Sequence, residues 1–535
     1  MSQQKQNYLH GATILTVGVV IMKILGGLYK IPLGNLLGTA TYGYFAAAYN
    51  IYAVMLTVST AGLPVALSRL ISEANTLGEY GRARQTFNIA MALFVAMGAV
   101  LSAVMFFFPT ELAIAMNKVE ATQSILALSP SVLLVCIASA YRGYIQGHSN
   151  MIPTTVSQVL EVFAKVVTGL ALAWYFVKTG KSGTISSAGA IFGVTIGSLV
   201  SAIYMFAYYR KHYSKALPQE YTKTVRNTAI LKDLLKIGIP ITLGASVMSL
   251  ISLLDTSLVN FQLASNKDIL PFSPDELFGT YSLLLTLYNL PVAFITPLTI
   301  SVVPAISAAI AVNNHREAAD ISSSSIRMTS IIAVPMGIGL AALAAPIIST
   351  IYPRIENNTG PLILFLLGIA SIFVCVLLTS NSILQASGNE RLPIISMLVG
   401  GAVKIVVTWV LVGDPEIHIY GAPVGTLACF VVMAGLNWIF MRKSLVVKPR
   451  LSRTVLLPLI CGLIMGGAAW GSYGLFQRFI NLSSARLSMV ISMGLSIILA
   501  IIIYLVLIIV TRAITLEDMK LIPKGEKVGK MLKIK

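Results

Sequence analysis

YRGYIQGHSNMIPTTVSQVLEVFAKVVT, residues 141–168, returns in altered form as TSNSILQASGNERLPIISMLVGGAVKIVVT, residues 379–408. Gln146 matches Gln385, Asn150 matches Asn389, Pro153 matches Pro393 and Lys165 matches Lys404, each offset by 239 or 240 positions. After each copy comes a GAxxG, Gly189 to Gly193 and then Gly421 to Gly425. Further upstream, Pro64 in AGLPVALS matches Pro304 in SVVPAISA, and Gly43 in YGYF matches Gly279 in FGTY. Matches that keep their order at a nearly constant offset mark an internal duplication, so the chain is built from two related halves.

The composition says where those halves reside. Of 535 residues, 56% are hydrophobic and only 11% are charged, and the mean hydropathy is +0.82. A soluble surface needs about 25% charged residues, so a chain this long and this apolar must face lipid. Apolar stretches of about 20 residues, enough to cross the hydrocarbon core as a helix, recur throughout. They fall at 11–32, 42–67, 87–108, 123–144, 152–177, 186–208, 237–260, 278–304, 326–350, 361–384, 392–412, 421–441, 454–475 and 487–511. The expectation is an all-α polytopic membrane protein of about 14 transmembrane helices. Six spans per repeat return the chain to its starting side, so the two lobes share one orientation, related by a pseudo-two-fold axis along the membrane normal, with a site at their interface. The expected organisation is an N-terminal six-helix lobe (1–215), a basic linker (216–236), a C-terminal six-helix lobe (237–445), and an extra helix pair with a polybasic tail (446–535).

The net charge of +18 invites a nucleic-acid reading, but its distribution argues against one. Segments on the side of the termini carry 27 of the 38 Lys and Arg, with Arg142 and Arg327 at the ends of their spans on that side counted among them. The opposite loops carry 7 and the spans four lysines. This is the positive-inside pattern and puts both termini in the cytoplasm. The tail from Lys520 to Lys535 then reads as a topology signal against anionic lipid. The first span, with Lys23 and Lys30 and no small-residue cleavage site, reads as a span rather than a cleaved leader. Cys136, Cys375, Cys429 and Cys461 lie inside spans without a CxxC and read as packing residues. No nucleotide-binding P-loop, zinc spacing or HExxH is present, so no cofactor, metal or enzyme activity is expected.

Six ionisable residues fall well inside spans: Lys23, Lys30, Glu161, Lys165, Asp255 and Lys404. Each costs about 2.5–3.5 kcal/mol at a helix centre on insertion scales, which makes each a functional suspect. Lys23 and Lys30 share a face two turns apart, Lys23 facing a water-filled cavity and Lys30 either the same cavity or the headgroups. Glu161 and Lys165, four apart with the acid first, read either as an intrahelical pair or as part of a substrate site. Lys404 has glycines, Gly400 and Gly401, where its mate has the acid. Asp255 reads as a partner for a lysine or as a protonatable coupling group. Four lysines against two acids suit an anionic substrate and not a lipophilic cation. Pro64 and Pro304, as repeat mates, read as paired bends framing a central opening or as packing kinks.

LGGLYKIPLGNLLG, YGYF and STAGLPVALSRLISEA, with the repeated Gln-x-x-x-Asn…Pro…Lys and GAxxG segments, resemble the polysaccharide-exporter branch of the multidrug/oligosaccharidyl-lipid/polysaccharide exporter superfamily. The resemblance is strongest to stage V sporulation protein B-like and MurJ-type lipid II flippases and covers essentially the whole chain. It implies two six-helix lobes around a V-shaped central cavity and a groove for a lipid tail on the extra helix pair. It also implies an anionic lipid-linked saccharide as substrate, contacts with membrane lipids, and a place in the bacterial cytoplasmic membrane. Lys23 and Lys30 stand where that family has first-helix basic residues, usually arginines. Lys165 and Lys404 join them as substrate-binding candidates. Asp255 and Glu161 are candidates for charge pairing or for coupling to a proton or sodium ion. The alternative within the superfamily is a multidrug or cation antiporter. The topology is testable: a cysteine placed in the 520–535 tail should react with an impermeant thiol reagent only after cells are permeabilised, and labelling in intact cells would reverse the orientation.

Overall fold

Lipid supplies no water to a bare N–H or C=O, so a chain crossing it must satisfy its backbone within each segment, and a helix does so. The computed structural model of this chain describes residues 29–213, 226–355, 358–444, 452–480 and 484–514, with 18, 21, 22 and 25–27. Among these residues every regular element is helical. Thirteen helical segments among them, from Thr39–Thr76 to Arg486–Val510, are long and apolar enough to cross a bilayer. They correspond to the second through fourteenth expected spans, which makes this a multi-pass membrane protein. Most of the first expected span lies outside the described residues, Lys23 included; its end is helical over 29–37 (α1). The 520–535 tail and the linker residues 214–225 also lie outside them.

The chain divides into two compact units. The first comprises residues 1–267 and 273–279. Its helices after α1 are α2 (Thr39–Thr60), α3 (Leu63–Thr76), α4 (Tyr80–Phe107), α5 (Pro109–Ala115), α6 (Thr122–Gly147), α7 (Ile152–Lys178), α8 (Gly183–His212) and α9 (Asn227–Ser265). The division falls one span later than the repeat boundary expected from sequence, because α9 packs on α2, α3 and α4. Thr57 bonds Ser249 at 3.0 Å and Asn50 Nδ2 donates to Thr256 Oγ1 at 2.9 Å. Seven residues back along α2 is seven forward along α9, so the two run antiparallel with polar pairs two turns apart. Residues 227–236, expected as linker, are the first turns of α9.

The expected second span is two helices, not one. The break at Ala61 and Gly62 lets α3 begin with Pro64 in its first turn, where a missing N–H costs nothing. A Cβ on Gly62 would lie 2.0 Å from the Gly238 carbonyl oxygen on α9, so only glycine fits there. Pro304, the repeat mate of Pro64, instead lies inside a continuous helix, α10 (Pro274–Ala311). The two prolines are therefore not equivalent bends. Gly43 and Gly279, also repeat mates, lie against each other: a Cβ on Gly43 would be 3.5 Å from Gly279 Cα. Beside them, in the first turn of α10, Asp275 takes an ion pair from the buried Lys118 and a hydrogen bond from the Tyr44 hydroxyl at 3.0 Å.

The second unit, residues 268–272 and 280–535, contains the rest of α10, then α11 (His315–Ala342), α12 (Ala344–Ile351), α13 (Gly360–Ala386), α14 (Arg391–Gly413), α15 (Gly421–Ser444), α16 (Leu457–Phe479) and α17 (Ala485–Val510). The helix pair α16–α17 docks on α11. Gly462 and Gly466 make room for Val334 and Ile338, and the Tyr504 hydroxyl donates to the Ile331 carbonyl at 3.0 Å.

The GAxxG segments explain the duplication physically. On α8, a Cβ at Gly193 would sit 2.6 Å from Gly169 Cα and 2.8 Å from the Lys165 carbonyl oxygen. On α15, a Cβ at Gly425 would sit 2.5 Å from Thr408 Oγ1 and 3.4 Å from the Lys404 carbonyl oxygen. Each half thus presses a glycine of one helix onto the turn that bears the repeated lysine. Gly193→Ala should lower the thermal unfolding midpoint in detergent, an overpacking cost of about 1–3 kcal/mol. Gly435→Ala on α15, where a Cβ meets nothing within 4 Å, should hold or raise it.

Candidate substrate site

α7 places Glu161 and Lys165 one turn apart on one face, the geometry of an intrahelical ion pair. That pair does not form. Glu161 Oε2 accepts from Arg142 Nη2 on α6 at 2.7 Å. The same guanidinium donates through Nε to Ser157 Oγ at 3.0 Å and through Nη2 to Ser201 Oγ on α8 at 2.6 Å. Ser157 is itself held by a 2.7 Å bond to the Thr154 carbonyl. Arg142, near the cytoplasmic end expected for its span, is only 9% exposed and ties together three helices. A planar guanidinium can make these bonds at once, and an ammonium cannot copy the fork.

Lys165 is left with aromatic company. Its ammonium lies 5.8 Å from the Tyr29 ring centroid and 5.9 Å from that of Tyr49. Lys30, from α1, brings its own ammonium to 5.6 Å from the same Tyr49 ring. Lys30 is thus turned toward the helices of its unit. Among the described residues, neither lysine has a carboxylate within 4.0 Å. The rings are fixed in turn: Tyr49 stacks on Phe45 at 6.1 Å, Phe45 on Tyr42 at 5.6 Å, and the Tyr29 hydroxyl donates to the Ala190 carbonyl at 3.0 Å. Cation–π attraction helps to hold two like charges near one ring, and an anion between them would relieve their repulsion.

Lys30, Lys165 and Glu161 thus come together in the first unit. Asp255 is in the same unit on α9, 4% exposed and next to the Thr256 that bonds Asn50. Lys404 is on α14 in the second unit, and Lys23 is outside the described residues. Beside the Arg142–Glu161 pair is a recess of about 360 Å³ lined by Leu56, Thr60, Pro64 and the repeat residue Gln146. Among the described residues no three His, Cys, Asp or Glu side chains gather as a metal set.

Sequence reasoning missed Arg142 and the tyrosines. Arg142 lies two residues inside the 123–144 span, so its burial could have been suspected. Tyr42, Phe45, Tyr49 and Tyr52 recur at intervals of three and four, an aromatic stripe along one face of α2. Position 29 carries no such signal, because its contacts with α7 and α8 are long-range.

The second unit offers a site of different chemistry. Leu290, Pro335, Leu340, Met465, Ile501 and Leu505 are among the residues lining an almost wholly apolar recess of about 590 Å³ formed by α10, α11, α12, α16 and α17.

A family model described as "Polysaccharide biosynthesis protein" matches residues 8–310, more than half of the chain. The chain belongs to the polysaccharide biosynthesis protein family. Relatives of similar length in Bacillus subtilis (strain 168) include the uncharacterized membrane protein YabM, 25% identical over 98% of this chain and 96% of its own length. Lipid II flippase MurJ is 24% identical over 86% of this chain and 87% of its own, and stage V sporulation protein B 23% identical over 86% and 89%. Among solved structures, lipid II flippase MurJ in an inward closed conformation has the same fold with a TM-score of 0.68 at 16% identity, covering 92% of this chain and 98% of that one. An inward-facing multidrug resistance MATE family transporter of the MOP superfamily gives 0.64 at 15%, covering 80% and 97%.

The geometry separates two roles within this family member. Glu161→Ala would strand the Arg142 charge in the bundle and should destabilise the fold by about 3 kcal/mol in thermal or denaturant unfolding. Lys165→Ala, which strands no acid, should cost far less.

Proposed function

We propose that this protein is a flippase for a polyprenyl-diphosphate-linked saccharide, lipid II or a related cell-wall or capsule precursor, carried from the cytoplasmic to the outer leaflet by alternating access. The carrying observation is the Lys30–Tyr49–Lys165 cluster, where two ammonium groups share one ring and, among the described residues, no carboxylate lies within 4.0 Å. A diphosphate answers both charges, and the tyrosine rings give an adjoining sugar a flat face to pack on. The apolar recess at α16 and α17 has the chemistry to take isoprenoid chain. Relatives along most of the chain include a named lipid II flippase, which fits this chemistry.

The sign of the charge argues against a multidrug or cation antiporter. Glu161, one turn from Lys165, is paired with Arg142, and the two lysines leave the cluster cationic. With both termini cytoplasmic, outward movement of an anion is downhill by about 2.3 kcal/mol per charge per 100 mV, so the membrane potential can drive a diphosphate without nucleotide hydrolysis. Asp255, buried on α9, is the residue we assign to a coupling proton or sodium ion.

The test is complementation. In a strain depleted of its lipid II flippase, the wild-type gene should restore growth, and Lys30→Ala and Lys165→Ala should each fail or restore it weakly. Rescue undiminished by both substitutions would sink the cationic-site reading, and failure of the wild-type gene would assign the protein to another lipid-linked saccharide.

A further inference from the structure

Four residues apart with the acid first is the favourable order for a helical ion pair, so Glu161 is the natural neutraliser of Lys165. In the structure it is held elsewhere, by a guanidinium that is nine-tenths buried and bonded to Ser157 and Ser201 as well. Arg142 cannot leave Glu161 without giving up a charge-assisted bond inside the bundle. Among the described residues, no ion pair restrains the Lys165 ammonium, which lies over the Tyr29 and Tyr49 rings.

The second repeat gives an independent view. At the offset of 239 that relates Lys165 to Lys404, Arg142 corresponds to Asn381, Ser157 to Ser396 and Glu161 to Gly400. Ser396 keeps the local bond of its mate, to the carbonyl three residues earlier, at 2.9 Å. A Cβ on Gly400 would lie 2.3 Å from Met433 Cγ, so the packing of α14 on α15 leaves no room for an acid there. Asn381 accepts instead from Asn437 Nδ2 at 2.6 Å, a neutral link between α13 and α15. The arginine and the acid are thus absent together, while the lysine is present in both halves. The helices pack either way, so the ion pair is not a requirement of the bundle. Its presence follows that of the acid.

We propose that Arg142 is a positioning residue for the anion site: it holds Glu161 off Lys165 and so reserves the Lys165 ammonium for the phosphate oxygens of the substrate. The proposal rests on the reading of Lys30 and Lys165 as the diphosphate site. Without Arg142, the Glu161 carboxylate turns to the cation one turn away, and the substrate must then displace an internal acid in order to bind.

The experiment measures binding to the full-length protein in nanodiscs, with farnesyl diphosphate, farnesyl monophosphate and farnesol as probes. Arg142→Gln should weaken the diphosphate by about tenfold or more, the scale of one charge-assisted hydrogen bond. The monophosphate should weaken less and farnesol not at all. Adding Glu161→Gln should restore diphosphate binding. If Arg142→Gln does not fold, Arg142→Lys replaces it, since a lysine keeps the charge but cannot hold Glu161, Ser157 and Ser201 together. Equal loss for all three probes, or a diphosphate loss that Glu161→Gln leaves unrepaired, overturns the positioning role. Diphosphate binding that Lys165→Gln leaves unchanged overturns instead the anion site on which the proposal depends.

Discussion

A buried charge is tolerable only when something answers it, and in the first unit the answer is given across helices rather than along one. The guanidinium of Arg142 takes Glu161 on α7, Ser157 on α7 and Ser201 on α8, and so joins three membrane helices through one side chain. Everything distinctive about the cationic site follows from that choice of partner. Because Glu161 is engaged, Lys165 is not neutralised within its own helix. Because Lys165 is not neutralised, its ammonium and that of Lys30 can face one tyrosine ring as a pair.

The rings are part of the same arrangement. An ammonium in a low-dielectric bundle needs either a counter-ion or a polarisable surface, and Tyr29 together with Tyr49 of the α2 aromatic stripe supplies the second. Aromatic faces attract a cation less strongly than a carboxylate does. They therefore hold the lysines in place without cancelling their charge, which is what the proposed phosphate site requires. A carboxylate in the same place would have neutralised the lysine it met.

Duplication has kept the packing and released the chemistry. Gly193 over Lys165 and Gly425 over Lys404 are the same helix contact made twice, and Ser157 and Ser396 make the same local bond. Between them the charged Arg142–Glu161 pair gives way to neutral Asn381 with Asn437. Pro64 opens a new helix after Gly62, whereas Pro304 stays inside one. Backbone approach distances are hard constraints, because a methyl group too many forces helices apart. Polar pairing is a softer one, since different sets of donors and acceptors can satisfy the same space.

These two kinds of constraint divide what could be read from residues alone. The span pattern, the two repeats and the cationic surplus were determined by the sequence itself, because hydropathy, order and charge are local or additive properties of the chain. Thirteen of the fourteen expected spans could be compared with helices, and each has its counterpart. The partner of Glu161 was another matter. Sequence spacing offered Lys165, the neighbour on its own helix, whereas Arg142 reaches it because α6 and α7 both pack on α8, which also supplies Ser201 to the same guanidinium. The gathering of Lys30, Tyr49 and Lys165 likewise requires three helices to meet, and the membership of α9 in the first unit depends on pairs such as Asn50–Thr256. A linear pattern specifies which side chains a helix presents, and only tertiary packing decides which of them meet across helices, since that depends on the register of elements far apart in the chain.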